Sequence, residues 1–154
     1  MDSSSLFRPW RKFRRLSWRE RGWLLQAWCA LPAIQWRLHR LGFKQTRALL
    51  EVPIAQNRTL NDDDAAKLAG LARIAGRRHF MTFKCLPQSL WVWNRLRRLG
   101  FACELQLGVT RMDSPGFEAH AWVELNGRSL DGGRQSEPDQ LCSPFRAVSS
   151  SEIQ

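Results

Sequence analysis

No two cysteines stand close together in this chain. Cys29, Cys85, Cys103 and Cys142 are far apart, with no CxxC among them, and this spacing argues against the short-pair zinc sites. An apolar signal core is also missing, because MDSSSLFRPWRKFRRLSWRERGW reaches residue 23 without one. A secreted disulfide framework is therefore not expected. Long hydrophobic runs are absent too. The most apolar stretch, Trp23 to Ile34, falls short of the roughly 20 residues that span a bilayer. No internal repeat is visible. These absences point to a cytoplasmic protein, and the basic, Trp-rich N-terminus leaves peripheral contact with the inner membrane surface open.

Acid is the scarcer charge. There are 14 Asp and Glu against 24 Lys and Arg, a formal balance of +10 carried mostly by Arg. Such a balance suits nucleic acid, anionic lipid or an acidic protein. What the chain does have is hydrophobic content: 44% of its 154 residues, with eight Trp. That is enough for a single folded domain with a real core.

Residues 1–16 read as a basic mobile arm. Ser17-Trp18-Arg19-Glu20 fits a capping box, and Leu24, Ala27, Leu31, Ile34, Leu38 and Leu41 follow at helical spacing. Pro32 predicts a kink or two abutting helices, and Gly42 a stop. Residues 43–60 read as a connection with some helix. Asn61-Asp62-Asp63-Asp64 opens a second helix, with Ala65, Leu68, Leu71 and Ala75 on one face and a stop near Gly76 to Arg78. A third helix runs from Cys85 to Leu99, with Leu86, Leu90, Trp93 and Leu96 facing one way, and Gly100 ends it. FACELQLGV then alternates as a strand, with Phe101, Cys103, Leu105, Leu107 and Val109 on its apolar face. AHAWVEL is a second strand, Asn126-Gly127 a hairpin turn, and RSLD the start of a third strand. The order predicts an α+β fold: a helical region over 17–80, a core of helix and antiparallel strands over 81–135, and a loosely ordered tail over 136–154.

The turn acts as a ruler. A two-residue loop puts Leu125 opposite Arg128, Trp122 opposite Asp131 and His120 opposite Gly133. His120, Trp122, Glu124, Ser129 and Asp131 then share one face. Asp131 becomes the diagonal neighbour of His120, about 7–8 Å away at Cα, whereas Glu124 is about 13 Å along the strand.

A His-Asp pair calls for a nucleophile. Cys103 is on an apolar strand face and reads as a buried structural thiol. Cys29 lies beside the first helical stripe and reads as core or partner packing, and Cys142 is in the tail. Cys85 starts a helix next to Lys84, and both features favour a thiolate. Chemistry alone leaves two readings of Cys85 open, a nucleophile or a small residue at a helix start. Zinc on Cys85, Cys103, His120 and Cys142 is not expected, since no two are paired and Cys103 faces the core. No cofactor is expected. His39 and His79 read as surface or packing residues.

KCLPQSLWVWNRLRRLGFACELQLGV followed by FEAHAWVELNGRSLD resembles the transglutaminase-like leader peptidases of lasso-peptide biosynthesis, in their stand-alone form. The matching features are a Cys-Leu-x-x-Ser-Leu helix start, a Leu-Arg-Arg-x-Gly helix end, a strand ending in Gly-Val, and Ala-His-Ala-Trp-Val-Glu before a turn glycine. They span residues 84–131, and the likeness extends more weakly over 15–135. The resemblance implies a papain/transglutaminase-like cysteine protease core with Cys85 as nucleophile, His120 as base and Asp131 as its orienting partner. Where family members often carry Asn-Asp, this sequence reads Asp131-Gly132, and the hairpin register points to Asp131. The resemblance further implies removal of the leader from a lasso precursor peptide, with the backbone N–H of Cys85 in the oxyanion hole and Trp122 against substrate. Its implied partners are a separate leader-recognition-element protein that grips the leader by β-strand addition and a lasso cyclase acting next. The helical region would dock the leader, the recognition protein or the membrane surface, or cap the core.

Two rivals stand beside it. One is acyl transfer to an amine by the same residues. The other is a basic nucleic-acid-binding protein using Arg73, Arg77 and Arg78 with Arg95, Arg97 and Arg98. The second explains neither the Cys85 helix start nor the His-Asp hairpin face, so no nucleic-acid partner is expected.

Overall fold

A computed structural model describes residues 16–58, 60–79, 83–111, 117–130 and 146–147. Three helices precede a small antiparallel sheet: α1 (Trp18–Leu50), α2 (Asp62–Arg78), α3 (Cys85–Arg98), β1 (Cys103–Arg111), β2 (Phe117–Leu125), β3 (Arg128–Ser129) and β4 (Arg146–Ala147). The strand order is β3-β2-β1-β4. This is the expected α+β architecture. The basic arm proposed over 1–16 lies outside the described residues up to position 15.

The helix ends follow local chemistry. The Ser17 hydroxyl accepts from Glu20 N at 3.2 Å, and Ser17 N donates to the Glu20 carboxylate at 2.7 Å, completing the capping box. Asn61 caps α2 by accepting from Asp64 N at 2.9 Å. The break in α1 is at Gly42 (φ 75°, ψ 177°), a left-handed conformation that suits glycine, whereas Pro32 sits within helical backbone. The expected division at Pro32 therefore falls ten residues later at Gly42. Helix resumes after it up to Leu50.

One core joins all three helices to the sheet. α1 contributes Trp23, Ala27, Leu31 and Ile34, and α2 contributes Ala65, Leu68, Leu71, Ala72 and Ala75. Leu41, expected to continue the α1 stripe, is 40% exposed beside the Gly42 break. α3 differs from the single apolar face expected of it. Leu90, Trp91, Val92, Trp93 and Leu96 are all buried, because α3 has α1 and α2 on one side and β1 and β2 on the other. Phe101, Cys103, Val123 and Leu125 close the core from the sheet.

The segment after α1 is tied to the C-terminal end of α3. Asn94 Nδ2 donates to Leu50 O at 2.5 Å, Arg97 Nε to Val52 O at 2.7 Å, and Ala55 N to Arg97 O at 3.0 Å. Arg58 lies 4.3 Å over the Phe101 ring and pairs with Asp62. Arg97 and Arg47 both stack near Trp93. Much of the arginine in this region thus serves packing and carbonyl capping.

The hairpin obeys the ruler. Asn126 (φ 52°) and Gly127 (φ 74°) are both left-handed, as a type I′ turn requires. Leu125 pairs with Arg128, Glu124 with Ser129, and Leu130 N donates to Val123 O at 2.9 Å. Residues 136–154, read as a loose tail, include β4, which pairs with Gly108 and Val109 of β1. No helix among the described residues is long and apolar enough to cross a membrane.

Gly100 (φ 85°) ends α3 where a Cβ would stand 2.9 Å from Ala55 O and 3.1 Å from the Arg58 backbone. Gly100→Ala should therefore lower unfolding free energy by about 1–3 kcal/mol, read from the urea midpoint.

Candidate active site

Cys85 is the first residue of α3. Lys84 precedes it at the N-cap without a side-chain capping bond, so the first-turn N–H groups point out of the helix towards the thiol's surroundings. The Cys85 Sγ accepts from Ala121 N at 3.4 Å. One helical turn on, the buried Ser89 hydroxyl donates to Ala121 O at 2.8 Å. Spacing of four puts both side chains on the same face of α3.

The reason lies in strand geometry. Val123 O takes its bond from Leu130, so the Val123 backbone groups point to the β3 side. Ala121, two residues away, points its N–H and C=O to that same side. There α3 supplies a partner for each group. Backbone N–H groups lie in the sheet plane. A sulfur bonded to Ala121 N–H therefore sits at the strand edge, between the two faces, and one residue from His120.

Side chains along β2 alternate as expected. Ala121, Val123 and Leu125 are buried under α3, while His120, Trp122 and Glu124 are half-buried on the other face. The His120 ring stacks on Trp122 at 5.9 Å with planes 17° apart, and Trp122 Nε1 donates to Glu124 Oε1 at 2.8 Å. Trp122, expected to touch substrate, is thus also a support for the imidazole. Across the sheet, His120 pairs with Gly108. Gly108 therefore sets no cross-strand side chain directly opposite the imidazole. Asp131 lies outside the described residues. The register that would carry it beside His120 is observed as far as Leu130.

A small cleft opens beside the thiol between α2, α3 and the hairpin, lined by Ala72, Arg73, Cys85, Ser89, Val123 and Leu130 among others. Its interior of about 30 Å³, half open to solvent, has room for one or two waters. One wall depends on Gly76, which was read only as a helix stop. Gly76 is buried within α2, and the Gln88 side chain crosses so close over it that a Cβ would collide. Gln88 Nε2 then donates to Phe83 O at 3.2 Å, just before α3.

The other sulfur and imidazole groups separate clearly. Cys103 is buried, as expected, 3.8 Å from Trp93 O, and burial pushes its thiol up to about 11. Cys29 is exposed rather than packed in the core, because it lies off the arc that carries Ala27 and Leu31. Cys142 lies outside the described residues. His79 packs between Trp28 and Phe83, and His39 contacts Gln35 on the surface. Among the described residues no three His, Cys, Asp or Glu gather to hold a metal. Arg95, one of the residues of the nucleic-acid reading, is half-buried, and its burial, then Arg98, lowers the ordinary guanidinium value.

Ser89, Gln88 and Gly108 are the contributors that sequence reasoning missed. Ser89 and Gly108 stand in the Cys-Leu-x-x-Ser-Leu and Gly-Val motifs, and the spacing of four puts Ser89 on the Cys85 face, but neither signal says what these residues contact. Ser89→Ala would strand the Ala121 carbonyl and should cost about 1–3 kcal/mol of stability, measured by urea unfolding. For Cys103, the ordinary thiol value of 9.0 rises to about 11 on folding, so the unfolded chain loses its proton first. The stability this thiol contributes is complete below the lower value and fades as pH climbs towards the higher one. Urea midpoints on either side of that window should fall with pH in the wild type, and less steeply in Cys103→Ala.

No curated protein matches this chain, and no solved structure does. A profile of the Transglutaminase-like superfamily matches residues 28–143. That span holds α3, the hairpin and most of the helical region, about three quarters of the sequence, and so the chain belongs to the transglutaminase-like superfamily.

Proposed function

We propose that the protein is a cysteine peptidase that removes the leader from a ribosomally made lasso precursor peptide. The observation that carries this reading is the Cys85 thiol, held at the first turn of α3 against the backbone next to His120. In the proposed reaction His120 accepts the thiol proton and the Cys85 sulfur attacks the scissile carbonyl. The tetrahedral oxyanion forms near the outward-pointing N–H groups of the first turn of α3, with Cys85 N–H the first candidate donor. Collapse breaks the C–N bond. His120 returns its proton to the leaving amine, and an acyl-enzyme remains on sulfur. Water, deprotonated by His120, then releases the leader's carboxylate and restores the thiol. Asp131 is assigned the role of holding the imidazole tautomer, and Trp122 supports the ring and meets substrate.

The sequence resemblance supports the lasso precursor as substrate, a separate leader-recognition protein as partner and a cyclase as the next enzyme, all in the cytoplasm. The same thiol and imidazole suit acyl transfer to an amine, which the transglutaminase-like family also favours as a second reading. Product masses separate the two, since transfer adds the amine where hydrolysis adds water.

Mixing the protein with the recognition partner and the precursor, and following leader release by mass spectrometry, tests the proposal. Cys85→Ala and His120→Ala should each reduce release at least about a hundredfold. Asp131→Asn should slow it clearly, while Asp113→Asn and Asp139→Asn should not. Full activity in Cys85→Ala would overturn the mechanism, and equal losses at all three aspartates would remove Asp131 from its orienting role.

A further inference from the structure

α1 carries two apolar rows on opposite sides. The first, Trp23, Ala27, Leu31 and Ile34, is buried in the core. The second is Trp18, Leu25, Cys29 and Trp36, spaced so that at 3.6 residues per turn they form one straight line along the helix. On a helical projection this line lies about 180° from the buried row. Trp18 is 86% exposed, Leu25 65% and Trp36 59%, and Cys29 is exposed as well. From Trp18 to Trp36 the row is about 27 Å long. An amphipathic helix needs only one apolar face to join a core, so the second requires another explanation.

The charge around this row has one sign. Arg19, Arg37 and Arg40 are exposed along it. Arg21 lies 5.1 Å over the Trp18 ring and Arg40 5.7 Å over the Trp36 ring, so each end of the row is an indole with a guanidinium on it. The only acid in α1 is Glu20, which the capping box already uses. Ahead of Trp18, the sequence adds Arg8, Arg11, Lys12, Arg14 and Arg15 against a single Asp2.

We propose that the outer face of α1 is a docking surface for an anionic lipid bilayer, with the helix lying in the plane of the interface. The row is a convex ridge, a shape that inserts between headgroups and needs no matching groove. Indoles settle at the headgroup level, where the ring is apolar and its edge is wet. The flanking arginines meet lipid phosphates at the same depth. Leu25 and Cys29, between the two indoles, enter the acyl boundary. The catalytic face is left uncovered, because the row is on the side of α1 turned away from α2 and α3. This surface is independent of the proposed chemistry at Cys85.

Flotation of the full chain with vesicles tests this directly. Phosphatidylcholine vesicles are compared with vesicles of phosphatidylcholine and phosphatidylglycerol, for wild type, Leu25→Glu and Trp36→Ser, with circular dichroism as the folding control. Wild type should float with the anionic vesicles only, and added salt should weaken it. Each variant should bind about tenfold less or weaker still while keeping its helicity and its cleavage of soluble precursor. Equal binding of both variants and wild type overturns the proposal, as does equal binding to neutral vesicles or no binding at all. If wild type ignores vesicles and Leu25→Glu instead loses the recognition protein, the row belongs to a protein interface and the lipid assignment fails.

Discussion

The N–H and C=O of Ala121 are both bonded by side chains of one helix, and the arrangement of the site depends on that contact. A strand edge facing protein must satisfy both groups. Here the sulfur of Cys85 takes the N–H and the hydroxyl of Ser89 supplies the carbonyl. Because these two side chains are one turn apart, they set both the height and the rotation of α3 against β2. A shift of one residue along the helix would turn both side chains away by about 100°. The thiol is thus located by the hydrogen-bonding needs of a backbone segment, one residue from the histidine it is proposed to serve. Leu90, Trp93 and Leu96 hold the helix in depth, and Gln88 across Gly76 holds its start against α2.

The positive charge divides into two populations with different work. Arg47, Arg58 and Arg97 stack on Trp93 or Phe101, and Arg58 and Arg97 also cap carbonyls of the segment between α1 and α2. Their charge accompanies their role as rigid donors with a flat stacking face. Arg19, Arg37 and Arg40 stand out along α1. A net charge of +10 is therefore not one field over the molecule, since part of it is engaged in stacking and carbonyl capping and part, including Arg77, Arg78, Lys84 and Arg98 on α2 and α3, stands exposed.

Elements governed by neighbours in sequence could be read directly. The Ser17 capping box, the Asn61 cap, the Gly42 break and the Asn126-Gly127 turn all depend on contacts within a few residues, and all appear. The hairpin register followed from the turn, since a two-residue loop leaves one pairing that keeps Ala121, Val123 and Leu125 on the buried side. Positions that depend on a neighbour distant in sequence were not legible. Cys29, beside the apolar stripe in sequence, read as core or partner packing, and helical rotation turns it outward, away from the core. Trp91 and Val92 looked like the outer side of α3 until the sheet covered them. Gly76 looked like a terminator, but its value is the space it leaves for a side chain from another helix.

The candidate site shows the same boundary. A thiol at a helix start and a histidine on an amphipathic strand are visible in the residues themselves, because capping and alternation are local. That the helix start meets the edge of that strand at Ala121, with Ser89 as its second anchor and Gly108 paired opposite His120, is not visible there. Those relations join segments separated by tens of residues. They follow from burying both sides of α3 at once, a condition that only the packed chain imposes.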